Sequence, residues 1–140
     1  MSTRLQERVD KIQQLLEKLV ADSAKGCLIV VEGRKDVQAL QQLGVKGKII
    51  TAKTSRKSFL DITAEIEKQP CPQLILLLDF DRRGKELTKR LTQHLETVRI
   101  KTNTNYWKEL QAFVGHDVKD IEGIPTYLKT LNRKLAKENH

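Results

Sequence analysis

Apolar residues follow two spacings in alternation along this chain. Leu5, Val9, Ile12, Leu16 and Leu19 recur at steps of four and three, and Leu15 and Val20 widen the stripe into an amphipathic helix face. Thr3 with Gln6 offers a capping box, and Lys25-Gly26 closes the element. Cys27-Leu28-Ile29-Val30-Val31 is then a continuous apolar run, which predicts a strand buried on both faces. Helical spacing returns with Val37, Leu40 and Leu43 and stops at Gly44. Residues 48–52 predict a short strand. Thr54-Ser55 can cap the next helix, whose face is Phe59, Ile62 and Ile66 and which ends before Pro70. A second unbroken apolar run, residues 74–78, precedes a helix carrying Leu87, Leu91 and Leu95. Val98-Arg99-Ile100 is the expected fourth strand. Residues 103–114 form a helix that buries Trp107, Leu110, Phe113 and Val114, and a bend at Gly123-Ile124-Pro125 leads to a last helix with Leu128, Leu131 and Leu135.

Strands alternating with helices predict an α/β fold, a parallel sheet with helices on both faces and with helical extensions at both ends. Its 140 residues make one domain the expectation: residues 1–24 as an N-terminal helix, 27–100 as the core and 103–140 as a C-terminal helical extension. The N-terminal stripe packs on its own domain or on a protein partner or second copy. The first is the expectation, because about two heptads are too short for a coiled coil. No apolar stretch reads as a membrane span or a signal peptide, so a cytoplasmic chain with no membrane partner is expected. Cys27 and Cys71 form no CxxC pair and read as buried free thiols, and the three histidines show no ligand spacing.

Charge alters this picture. Lys and Arg total 26 against 18 Asp and Glu, a net charge of +8. Lys46, Lys48, Lys53, Arg56 and Lys57 follow one another with no acid between them, and Arg82, Arg83, Lys85, Lys89 and Arg90 surround Glu86 alone. Such clustering favours a polyanionic partner, nucleic acid, over an ordinary solvated face.

Both main apolar runs end in acid: Glu32 after the first, Asp79 and Asp81 after the second. Neighbouring strands would gather the three carboxylates at one sheet edge, where a hard divalent cation such as Mg²⁺ could neutralise them. Acids in this position also commonly do no more than cap the following helix. Gly33 and Gly84 follow the acids and are expected to allow tight turns and close approach of a phosphate.

The segments VVEGRKDV at 30–37 and LLDFDRRGKEL at 77–87 resemble the two signature motifs of the TOPRIM domain, which topoisomerases, bacterial-type primases, overcoming-lysogeny-type nucleases and ribosomal-RNA maturase nucleases share. The resemblance covers residues 27 to about 100, and the whole chain looks most like the small stand-alone TOPRIM proteins of archaea and some bacteria. It implies a compact Rossmann-like sheet of about four parallel strands flanked by helices, in which Glu32 acts as general acid/base and metal ligand, Asp79 and Asp81 hold Mg²⁺ (or Mn²⁺), and Asp36 orients the site or caps a helix. The chain departs from the pattern at Arg83, where many members carry a third acid. Asp120 or Glu122 is a candidate replacement, against the reading of both as solvated surface acids.

Topoisomerase and primase activities are not expected. There is no room for a tyrosine-bearing strand-passage domain, and no cysteine cluster for a zinc module. The leading expectation is a metal-dependent nuclease or RNA-processing factor acting on RNA or DNA, with Arg34, Lys35, Lys53, Arg56, Arg82, Arg83 and Lys85 holding the backbone. The alternatives are a non-catalytic nucleic-acid-binding module or subunit, and a protein scaffold built on the N-terminal stripe. Backbone contacts of this kind carry no sequence information. Oligonucleotide affinity should therefore fall steeply between low and moderate salt, as anisotropy titrations would show; a salt-independent affinity would contradict the electrostatic reading.

Overall fold

The computed structural model describes residues 3–53 and 58–138. Its elements are α1 (Thr3–Ala24), β1 (Leu28–Val31), α2 (Arg34–Gln42), β2 (Ile49–Thr51), α3 (Phe59–Glu67), β3 (Leu74–Leu76), α4 (Arg82–Thr97), β4 (Thr102–Asn103), α5 (Asn105–Val114) and α6 (Ile124–Glu138). A 3-10 turn, Ile121–Gly123, leads into α6. The four strands form one parallel sheet in the order β2-β1-β3-β4. This is the α/β architecture that the alternating spacings predict.

Each inner strand is apolar throughout because both its faces are covered. Successive side chains of β1 point to opposite sides. Ile29 and Val31 join a core with α1, α2, α5 and α6, while Leu28 and Val30 join a second core with α3 and α4. The chain leaves β1 for β2 on one side of the sheet and leaves β3 for β4 on the other. Strand order thus reverses between β1 and β3. In open parallel sheets that reversal leaves a crevice at the carboxyl ends of the two strands, and here Glu32 and Asp79 follow them.

The fourth strand is not where its β-branched residues suggest. Val98, Arg99 and Ile100 close α4 instead: the N–H groups of Arg99 and Ile100 donate to the carbonyls of Glu96 and Leu95, and Arg99 turns to φ 60°. The helix end needed partners for its last carbonyls, and this left-handed turn supplies them. Strand β4 is the polar pair Thr102-Asn103, in register with Leu74 and Ile75. Thr54-Ser55 and the side chain of Thr3 lie outside the described residues, so neither expected cap is seen. Ser58 caps α3, its Oγ accepting from the Asp61 N–H at 3.1 Å while Asp61 accepts from the Ser58 N–H at 2.9 Å. Cys27 is buried and Cys71 half-buried, both as free thiols. No helix among the described residues is long and apolar enough to cross a membrane.

Helix α1 lies against α5 and α6, with Val9, Ile12, Leu15, Leu16 and Leu19 buried in the first core. Arg8 ties the three helices together: its guanidinium donates to the Phe113 carbonyl and pairs with Asp117, which also accepts from the Tyr127 hydroxyl at 2.7 Å. The N-terminal stripe is therefore an internal face. Ile12→Ala should destabilise the chain by about 2–5 kcal/mol, the range for deleting a buried aliphatic side chain. Chemical denaturation would measure it; a loss within error would mean the stripe packs loosely and remains available to a partner.

Candidate functional site

Strand pairing sets the site. Past the ends of β1 and β2 the parallel ladder continues, with the Ala52 N–H donating to the Val31 carbonyl and the Lys53 N–H to the Glu32 carbonyl, both at 2.9 Å. This register carries the Lys53 side chain to Glu32, where Nζ lies 3.0 Å from Oε2. On the other flank, the Leu77 N–H donates to the Val30 carbonyl at 2.8 Å, which brings the segment after β3 alongside Glu32. Asp79 then lies within hydrogen-bonding reach of the Glu32 carboxylate.

Glu32 is only 4% exposed, and its Oε1 has no hydrogen-bond partner among the described residues. A buried carboxylate oxygen without a donor is costly. Asp79 is pushed up to about 8, first by burial and then by the Glu32 carboxylate beside it, with Asp36 and Asp120 adding to the repulsion. The two carboxyl groups together carry more negative charge than Lys53 can offset. Either a shared proton or a bound cation satisfies them.

Asp36 lies in the first turn of α2. Its Oδ2 accepts from the Gly33 N–H at 3.0 Å, and its Oδ1 accepts from the Glu122 N–H at 2.9 Å. One oxygen caps its own helix and the other anchors the 3-10 turn. Burial raises its pKa, opposed by these two hydrogen bonds. The anchored turn brings Asp120 and Glu122 in, so that Asp36, Asp120 and Glu122 each offer an oxygen within 4.8 Å of the others. This acidic cluster can hold a metal ion.

Asp81 is the N-cap of α4, its Oδ1 accepting from the Gly84 N–H at 2.8 Å, and it is exposed. Phe80, between the two aspartates, is buried beside Trp107. Gly84 is needed for a different reason from the one its position after the acids suggests. A Cβ there would lie 1.9 Å from the Asp79 carbonyl oxygen, so the first turn of α4 rests directly on the main chain of Asp79. Gly33 has extended backbone, φ −143°, and a Cβ there would meet nothing closer than 4.0 Å; neither a turn nor a close approach requires glycine.

The basic residues ring this crevice at the carboxyl side of the sheet. Arg34 and Lys35 open α2, and Arg82, Arg83 and Lys85 lie in the first turn of α4. All five are exposed; Lys35 lies 3.9 Å from Glu122, and Arg82 3.3 Å from Glu86. Arg56 lies outside the described residues. Two contacts that hold the crevice gave little sequence signal: the Trp107 Nε1–H donates to the Leu78 carbonyl at 2.8 Å, and the Phe80 N–H to the Lys119 carbonyl at 2.7 Å.

The Toprim domain family matches residues 27–112. The chain is 35% identical to a UPF0292 protein of Methanocaldococcus jannaschii over 94% of its own length and 98% of that protein's. It is 32% identical to a UPF0292 protein of Methanosarcina acetivorans (93% and 88%) and 36% identical to one of Thermococcus sibiricus (84% and 88%). Among solved structures, a putative protein from Aquifex aeolicus shares the fold, with a TM-score of 0.58 and 21% identity over 86% of this chain and 98% of that one.

The carboxyl pair makes a stability prediction. Folding raises the pKa of Asp79 above its ordinary 3.8, so the folded chain holds a proton that the unfolded chain releases. That contribution is complete below about pH 4 and is lost as pH rises towards about 8. Without divalent ions, the melting temperature of Asp79→Asn should gain on that of the wild type as pH rises through this window. Mg²⁺ or Mn²⁺ at the alkaline end should raise the melting temperature of the wild type and not of the variant. Parallel pH profiles would show that the carboxylates do not repel.

Proposed function

The chain belongs to the Toprim domain family, and from that membership we propose that it is a divalent-metal-dependent phosphodiesterase acting on nucleic acid, a nuclease or RNA-processing factor. The observation that carries this reading is the buried Glu32 carboxylate, its Oε1 without a partner among the described residues, beside the carboxyl of Asp79. A buried carboxylate with a donorless oxygen next to a second carboxyl group suits a hard cation with oxygen ligands, Mg²⁺ or Mn²⁺. Glu32, Asp79 and Asp81 would hold it, and the Asp36, Asp120 and Glu122 cluster offers further carboxylate oxygens next to them. When bound, the ion would stabilise charge developing on a phosphate oxygen.

The chain's own groups divide the remaining work. Lys53 engages Oε2 of Glu32, so with Oε1 given to the ion it is the Lys53–Oε2 pair that would accept or return a proton at the scissile phosphate. Arg34, Lys35, Arg82, Arg83 and Lys85 project from the first turns of two helices whose N-termini attract phosphate. They position the backbone without reading sequence. Asp120 and Glu122 would replace the acid that Arg83 does not provide.

The alternative is a non-catalytic nucleic-acid-binding module. It is favoured by the use of Asp81 as a helix cap and by the arginine at position 83. Metal titration followed by cleavage assays separates the two. The enzyme reading expects Mn²⁺ or Mg²⁺ binding that Asp79→Asn abolishes, and cleavage of labelled RNA or DNA that Glu32→Gln lowers by about 10²–10⁴-fold. Metal binding without cleavage would establish the binding module. Absence of metal binding would leave the acids structural and overturn the proposal.

A further inference from the structure

Helices α4 and α5 leave a groove between them on the flank of the acidic crevice. It consists of two adjoining depressions of about 490 and 480 Å³ that share Lys85, Lys108 and Gln111. The far part extends to Lys89 and Thr92. The near part reaches Phe80, the residue between the two motif aspartates. No carboxylate lines either part among the described residues.

The charges along it are unspent. Lys85, Lys89 and Lys108 are all exposed, and none is ion-paired to a described residue. Glu86, the acid nearest to them on α4, is engaged by Arg82. Three like charges gathered along one groove repel one another unless an anion lies among them. Thr92 Oγ1, on the α4 side, has no hydrogen-bond partner among the described residues, and the Gln111 amide supplies both a donor and an acceptor.

We propose that this groove is the track along which a single-stranded polynucleotide enters the acidic crevice, its phosphates held by Lys85, Lys89 and Lys108. A positively charged groove that tracks one backbone is how single strands are held. An acidic protein segment would match the lysines as well. It would have no reason to end at Phe80, between the two motif aspartates, where a phosphodiester has one. The inference rests on the nucleic-acid reading above and adds a strand type and a route to it.

The test uses the full chain, wild type and Lys89→Gln/Lys108→Gln, with short labelled single-stranded RNA and DNA and a matching duplex. Anisotropy titrations at several salt concentrations give affinity and salt slope. Mn²⁺ binding followed by EPR and a thermal melt report whether the acidic site and the fold are intact. The expected result is a single-strand affinity at least about tenfold weaker in the variant, with the salt slope reduced by about 1.4, two contacts at roughly 0.7 each. Mn²⁺ binding and melting should be unchanged, and Lys89→Arg/Lys108→Arg should restore affinity. Single-strand affinity equal in variant and wild type would overturn the groove while leaving the nucleic-acid reading in place. Preference for duplex, or displacement of the oligonucleotide by poly-glutamate at equal charge concentration, would also overturn it. A wild-type chain that binds no oligonucleotide would sink both.

Discussion

The parallel pairing of β1 with β3 is the constraint on which the rest of this molecule depends. It places Glu32 and Asp79 side by side where strand order reverses, and once they are there the surroundings must manage two crowded negative charges. Lys53, delivered by the neighbouring strand, neutralises part of that charge from one side. Two helix N-termini approach from the other. The remainder is unmet by any side chain among those described, and that deficit gives the crevice its appetite for a proton or a cation. A site of this kind is under electrostatic strain by construction, in keeping with the clustering of perturbed carboxyl groups at functional centres.

Residues beyond the family match contribute as much to this arrangement as those inside it. The match ends at 112, yet the Lys119 carbonyl holds Phe80 and the Glu122 N–H holds Asp36. The C-terminal segment is tied to the site at two points, one on each motif. Through Arg8, Asp117 and Tyr127 the same segment is joined to α1. The terminal helices therefore brace the acid-bearing edge of the sheet as well as covering its face.

Much of this was legible in the sequence. An apolar run five residues long, closed by an acid, announced both inner strands and both acids at once, because a strand buried on two faces leaves its charge no place except the end. What could not be read was whatever depends on register or on two elements meeting. Strand β4 is a polar pair whose strand character comes from the hydrogen bonds of β3, and the β-branched residues just before it were needed to finish a helix. Lys53 read as one of the basic residues that hold a nucleic-acid backbone, and only the β1–β2 ladder placed it on Glu32. The lysines of α4 and α5 stand some twenty positions apart in the chain, so their shared groove has no local signature. Asp81 illustrates the opposite difficulty: a motif position can also be a helix cap, and spacing alone does not separate the two roles.

The seat of Gly84 on the Asp79 carbonyl has a mechanical consequence. Most sites set the distance between their acids and their anion-holding groups through side-chain rotamers, which are soft. Here part of that distance is set by main chain resting on main chain, since the turn that carries Arg82 and Arg83 abuts the peptide of Asp79. The contact works as a gauge block. Helix and Asp79 main chain keep their spacing whatever rotamers the basic side chains above them adopt, and any methyl group inserted at the joint would reset the calibration of the whole crevice.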